Sequence, residues 1–278
     1  MSQVVDALVS DVAVPKPSTI RKAGFVADVI SVAGRAVRSI PREPEGVIPA
    51  LVVPLFFFVV NVGSLQDITK NPSFGPNFDF KAFQLPVAII FAVTGVSRAS
   101  TLVTDIQDGY FDRLSLTPIR RPALLLGLMV ADFVLVMSLS IPVLILGFAL
   151  GVRFETGPLG VVVFLLLAGF WGIVFTGFPY AIALKTGNPA AVNSSFILFF
   201  PFAFLTTAFL PKQALTSWLS SIATYNPVTY LLDALRSLIM TGWDGTALLK
   251  GVAAIAVVGL VSFSLCLAAF RARINAGK

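Results

Sequence analysis

The sequence predicts an all-α integral membrane protein of six transmembrane helices, and three observations carry that prediction. Of 278 residues, 56% are hydrophobic and 12% charged, with a mean hydropathy of +0.90, which is more apolar surface than one soluble core can bury. Six stretches are apolar over the roughly 20 residues that a helix needs to cross about 30 Å of hydrocarbon. They run over approximately 46–66, 82–104, 122–150, 158–184, 188–210 and 250–270, and apart from Lys250 at a boundary their only charges are Arg98 and Asp132. An even number of spans puts both termini on one side, and in that topology fourteen of the 20 Lys and Arg lie on the side of the termini. By the positive-inside rule that side is cytoplasmic, in a plasma (bacterial inner) membrane.

The elements follow in order. The cytoplasmic tail, residues 1–45, opens with a leader that Asp6 and Asp11 interrupt, so it lacks the unbroken apolar run of a signal peptide. Further on, Phe25, Val29, Val32 and Val37 fall near one helical face with Arg35 and Arg38 beside it, and Pro41 and Pro44 end the pattern. Such a helix suits the surface of an anionic leaflet. Prolines recur inside the spans, among them Pro49, Pro54, Pro142, Pro179 and Pro201. A bilayer tolerates them where neighbouring helices satisfy the freed carbonyls, so a packed bundle is expected. Short re-entrant helices are expected on the outer side over 212–242, and a second cytoplasmic tail over 271–278.

The clearest of the outer elements is "YNPVTYLLDALRSLIMTG", residues 225–242. Asn226 is placed to cap a helix with Pro227 at its first position, and Gly242 to stop it. About 14 residues give ~21 Å, too short to cross the hydrocarbon. Val228, Leu231, Leu232, Leu235, Leu238 and Ile239 share one face, and Thr229, Asp233, Arg236 and Ser237 the other. Asp233 and Arg236 are expected to pair on the wet face.

The connection 105–121 concentrates charge: Asp105, Asp108, Asp112, Arg113, Arg120 and Arg121 stand beside Tyr110, Phe111, Leu114 and Leu116. Aromatic anchors rimmed by charge suit a docking surface; the other reading is a solvated loop with its rings tucked under the headgroups. The DxxDxxxD spacing of the three aspartates could hold magnesium, but the neighbouring arginines and the lack of a second acidic cluster argue against it. No GxxxxGK[ST] occurs, so nothing here cradles nucleotide phosphates in the usual way, and the chain is not read as an enzyme. Histidine is absent and Cys266 is the single cysteine, which removes His triads, thiolate clusters and intrachain disulfides.

Two of these segments carry a resemblance. "DGYFDRLSLTPIRRPALLLG", residues 108–127, is similar to the acidic, Gly, Arg-Leu, Thr-Pro pattern of permeases of ATP-binding-cassette exporters of the daunorubicin-exporter type. Asn226, Pro227, Thr229 and Tyr230, followed by Asp233 to Arg236, resemble the C-terminal signature of the same family. The resemblance covers roughly residues 46–270. It implies an export permease driven by a separate ATPase subunit that holds the ATP and magnesium, with no cofactor on this chain. It implies a coupling segment, matched here by Asp105, Asp108, Gly109, Tyr110, Phe111, Asp112, Arg113, Leu114 and Pro118. It also implies an outer helix carrying Asn226, Pro227, Tyr230, Asp233 and Arg236. A second permease subunit, membrane lipid, and an amphipathic or hydrophobic cargo (drug, antibiotic or lipid) complete the expectation; nucleic acid has no place in it.

Asp132 supports an alternative. An acid at membrane depth is a functional hypothesis by default, and a carboxylate could carry protons in a secondary exporter. Its nearness to the cytoplasmic face favours pairing or a bundle-lining role instead.

Overall fold

The computed structural model describes residues 24–42, 44–65, 67, 78–109 and 121–276, and among these every regular element is helical. They are α1 (Phe25–Ser39), α2 (Pro44–Leu65), α3 (Phe80–Thr94), α4 (Ala99–Gln107), α5 (Arg121–Ala149), α6 (Gly157–Thr186), α7 (Pro189–Ser194), α8 (Phe199–Phe204), α9 (Ser217–Tyr225), α10 (Pro227–Met240) and α11 (Gly245–Ala276). Among the described residues, α2, the stretch Phe80–Gln107, α5, α6 and α11 make five helical spans long and apolar enough to cross a membrane. α11 runs on as helix into the predicted tail, where Arg273 Nη1 donates to the Leu184 carbonyl at 3.1 Å.

Two predicted spans are interrupted. The second is α3 and α4 joined by residues 95–98: Gly95 ends α3, and the Ser97 hydroxyl accepts from the Ala99 N–H at 3.1 Å, starting the next helix. In place of a continuous helix over 188–210 there are α7, a 3-10 turn at Ser195–Leu198, α8 and a bend. The cause is local. Ser195 and Thr206 hydroxyls donate to the carbonyls of Val192 and Ala203, at 2.5 and 2.6 Å, and Pro201 lacks the N–H that would continue the ladder. The segment still bonds to both helices, α3 and α4. Ser100 donates to Asn193 Oδ1 at 2.7 Å, and Gln84 Nε2 to the Phe209 carbonyl at 3.2 Å; those partners are separated by about 24 Å of helix.

Helix α1 forms where expected, with Val32, Ala33 and Ala36 buried and Val26 and Ile30 exposed. Its buried face lies on α5 rather than on a surface alone, because Gly127 of α5 leaves no side chain in the way: a Cβ there would come within 2.6 Å of Val32 Cβ. Arg35 then forks onto Asp105 of α4, at 2.8 and 3.3 Å. Gly127→Val is expected to push α1 off α5, which limited proteolysis of the tail would read as faster cleavage with an intact remainder. Elsewhere α6 meets α11 as closely: a Cβ on Gly177 would fall 2.8 Å from Ser262, whose hydroxyl donates to the Val174 carbonyl. Small residues at such crossings are how membrane helices gain packing contacts.

Candidate functional site

Between α2, α3 and the broken segment lies a cavity of about 220 Å³. Its wall is built from rings: Phe57 and Phe58 from α2, Phe91 from α3, and Phe196, Phe200, Phe204 and Phe209 from the segment after α7. Edge-to-face contacts organise them, with Phe91 5.5 Å from Phe199, 6.4 Å from Phe200 and 6.3 Å from Phe204. Among the described residues, the polar side chains of the lining are Asn61 and Gln84, and no charged side chain lines it. Phe196, Phe200 and Phe204 follow one another at a spacing of four and so share a face, while Phe209 joins them from the bend beyond α8. Gly95 closes the end of the cavity nearest α4, where a Cβ would touch the Phe196 ring at 3.3 Å. The arrangement can hold a flat apolar molecule edge and face, with two side-chain amides, Asn61 and Gln84, in the lining.

At the other end of α3, α10 is anchored by its cap and by one arginine. Asn226 Oδ1 accepts from the Val228 N–H at 3.0 Å, as the sequence predicts, while its Nδ2 donates to the carbonyls of Phe202 and Leu205 at 2.7 and 3.0 Å. Pro227 follows at the first turn, and Tyr230 donates to the Thr224 carbonyl at 2.6 Å. The apolar face is buried as expected. The polar face corrects the prediction: Arg236, Thr229 and Ser237 are also buried, and only Asp233 stands exposed. Arg236 donates to the Phe83 carbonyl at 3.1 Å, to Thr207 Oγ1 at 2.9 Å and to the Thr207 carbonyl at 2.8 Å. Its guanidinium carbon sits 3.5 Å from the centre of the Phe83 ring. The carbonyls left open by the bend at 205–210 need donors, and a planar fork supplies several at once. Asp233 is only a distant partner at 3.8 Å. Burial pushes the Arg236 pKa down to about 9 while Asp233 raises it, so the group stays charged at neutral pH.

At the end of the bundle that holds α1, Asp132 is fully buried. Its Oδ1 accepts from the Arg98 backbone N–H and its Oδ2 from the Tyr180 hydroxyl, each at 2.7 Å. Asp105 is engaged by Arg35 inside the chain, whereas Asp108, at the end of α4, is exposed and Gly109 takes a positive φ of 67°. Tyr110, Phe111, Asp112, Arg113, Leu114 and Pro118 lie outside the described residues. The sequence-predicted site thus divides into two groups at opposite ends of α3–α4, and the cavity between them was not predicted as such. Asn61, Gln84, Thr207 and Tyr180 do not stand out by sequence motif; the usable signal is that each is a polar group in or beside a nearly charge-free stretch.

Residues 28–240 match the family model described as ABC-2 type transporter. A daunorubicin resistance ABC transporter permease protein of Streptomyces coeruleorubidus is 27% identical over 211 residues, 73% of this chain and 72% of that protein. A probable doxorubicin resistance ABC transporter permease protein of Mycobacterium tuberculosis strain H37Rv is 24% identical over 221 residues, covering 78% and 79%. A putative transport permease of Cyanophora paradoxa is 25% identical over 228 residues, covering 80% and 78%. Permeases of this family work with an ATP-binding-cassette ATPase and are not themselves enzymes. With a match that runs from α1 through the cavity to the end of α10, this multi-pass membrane chain belongs to the ABC-2 type transporter family, among the permeases of the daunorubicin-exporter type.

Proposed function

We propose that the chain is the transmembrane half of an ATP-driven exporter that takes a flat, largely uncharged amphipathic molecule from the cytoplasm or inner leaflet and releases it outside. The observation that carries this is the ring-walled cavity, which contacts α3 along its length and so sits on the same rod that leads, through α4, into the connection 105–121. Both termini are cytoplasmic in the plasma membrane, the segment 188–210 crosses as a sixth, broken span, and α9 and α10 lie at the outer side. The support is the Lys and Arg asymmetry together with the two hydrogen bonds that tie the broken segment to both ends of α3–α4. Asp108, Gly109 and the residues to Pro118 seat in the ATPase, which holds ATP and magnesium. A second permease subunit covers α2, whose Val53, Phe56 and Phe57 are exposed, giving the two-fold site that a pair of ATPase subunits can drive.

The test is transport in inverted vesicles carrying the permease and its ATPase, with doxorubicin fluorescence as probe. Uptake is expected to require ATP, to survive a proton ionophore, and to fail when Asp108 and Asp112 are both changed to Lys. Uptake abolished by the ionophore at constant ATP overturns the proposal in favour of proton coupling.

A further inference from the structure

Resting on the export function just described, we infer that Asp132 is a positioning residue: it pins the joint between α3 and α4 to α5 and α6, so that displacement of the connection 105–121 arrives at the cavity as a tilt of α3. A bundle position of this kind is ordinarily filled by an apolar side chain, since a carboxylate is costly at membrane depth unless its oxygens are satisfied. Here the two oxygens are satisfied by two different elements. Oδ1 takes the backbone N–H of Arg98, one of the orphan donors that any helix start leaves open. Oδ2 takes the hydroxyl of Tyr180 on α6. One side chain of α5 therefore holds the joint on one side and α6 on the other, within an apolar cluster that includes Leu102, Leu128 and Leu184.

The joint is held by different partners on its two sides. On the α4 side, the Arg98 guanidinium donates to Ser39 Oγ at the end of α1, and Arg35 of α1 forks onto Asp105. Gln107 Nε2 donates to the Gly187 carbonyl beyond α6 at 2.9 Å. α1 and α4 are tied to each other, and α4 to the end of α6. On the α3 side, the Thr94 hydroxyl donates to the Ile90 carbonyl and accepts from Trp171 Nε1 at 3.0 Å, and Gly95 abuts the Phe196 ring of the cavity. Four non-helical residues lie between these sides, and hinges are a few such element-terminal positions. Proton carriage would need a path to solvent, whereas this carboxylate is fully buried with both oxygens hydrogen-bonded.

The experiment uses the full chain in lipid nanodiscs, in a Cys266→Ser background, with spin labels at Lys81→Cys, half-buried on α3, and Thr104→Cys, exposed on α4, one on each side of the joint. Pulsed EPR distances are compared for Asp132, Asp132→Asn, Asp132→Leu and Tyr180→Phe. Asp132→Leu is expected to broaden the distribution about twofold, the signature of a loosened hinge. Asp132→Asn keeps an acceptor for the Arg98 N–H and is expected to leave it narrow. Tyr180→Phe removes one donor only and is expected to broaden it less, and it carries the test if Asp132→Leu does not fold. A distribution that stays narrow in both Asp132→Leu and Tyr180→Phe overturns the inference. So does an Asp132→Asn protein that keeps the narrow distribution yet loses ATP-driven doxorubicin uptake, the pattern of a proton carrier. The distances need neither ATP nor cargo, so their outcome stands even if the chain proves not to export.

Discussion

Replacing Arg236 with alanine is expected to cost the folded bundle about 3 kcal/mol or more, because several buried acceptors lose their donor at about 1–3 kcal/mol each. The acceptors are the Phe83 and Thr207 carbonyls and Thr207 Oγ1, all reached by one guanidinium. Thermal unfolding in detergent should then fall by on the order of 5–10 °C, from the usual size scaling. Arg236→Lys is expected to recover less than half of that loss. A compact ammonium cannot reach three acceptors in one plane while lying flat on the Phe83 ring. Asp233→Asn is the contrasting variant. That carboxylate is exposed and 3.8 Å away, so its neutralisation is expected to change stability by less than about 1 kcal/mol. If Asp233→Asn and Arg236→Ala prove equally harmful, the local ion pair matters and the buried fork does not.

The second large effect is on selectivity. Phe57 lines the cavity from α2 but is exposed on the isolated chain, so Phe57→Ala removes a ring from the wall with little loss of packing within the chain, and Phe56→Ala, exposed on the same helix but outside the lining, controls for the proposed subunit contact. An aromatic cargo is expected to bind roughly 2- to 10-fold more weakly, the size of one ring contact of about 0.5–1.5 kcal/mol. An aliphatic amphiphile of similar size should be affected less. Binding measured by quenching of doxorubicin fluorescence in nanodiscs, with melting temperature as control, checks both. An unchanged affinity for the aromatic probe, with stability unchanged, would move the cargo site elsewhere. Phe91→Ala is the poorer probe of selectivity, because that ring also holds Phe199, Phe200 and Phe204 in place.

Sequence patterns were most informative where one helix decides its own fate. The Asn226 cap, the Pro227 start and the 14-residue length of α10 follow from local rules, and so does the amphipathic α1. Patterns were least informative where a side chain answers to a distant backbone. Spacing of three suggests that Arg236 pairs with Asp233, and the two do meet at 3.8 Å, but the closer partners of the guanidinium are the Phe83 and Thr207 carbonyls, which no helical wheel can bring beside it. Spacing puts Asp105 beside Asp108 but does not reveal that Arg35, 70 residues earlier in the chain, pairs with Asp105. Hydropathy likewise made 188–210 one span, since it counts apolar residues and not the Ser, Thr and Pro groups that divert hydrogen bonds from the ladder.

By itself, then, the sequence determined that this chain lives in a membrane and that two motifs place it among permeases of the daunorubicin-exporter type. These are sums over many residues or matches over short windows, and neither needs tertiary contacts. Only the tertiary structure decided that Asp132 meets a helix break, that Arg236 is buried, and that seven phenylalanines from three parts of the chain enclose one cavity. Each depends on which backbone donors and acceptors a helix break leaves open and which distant side chain the packing brings within about 3 Å of them.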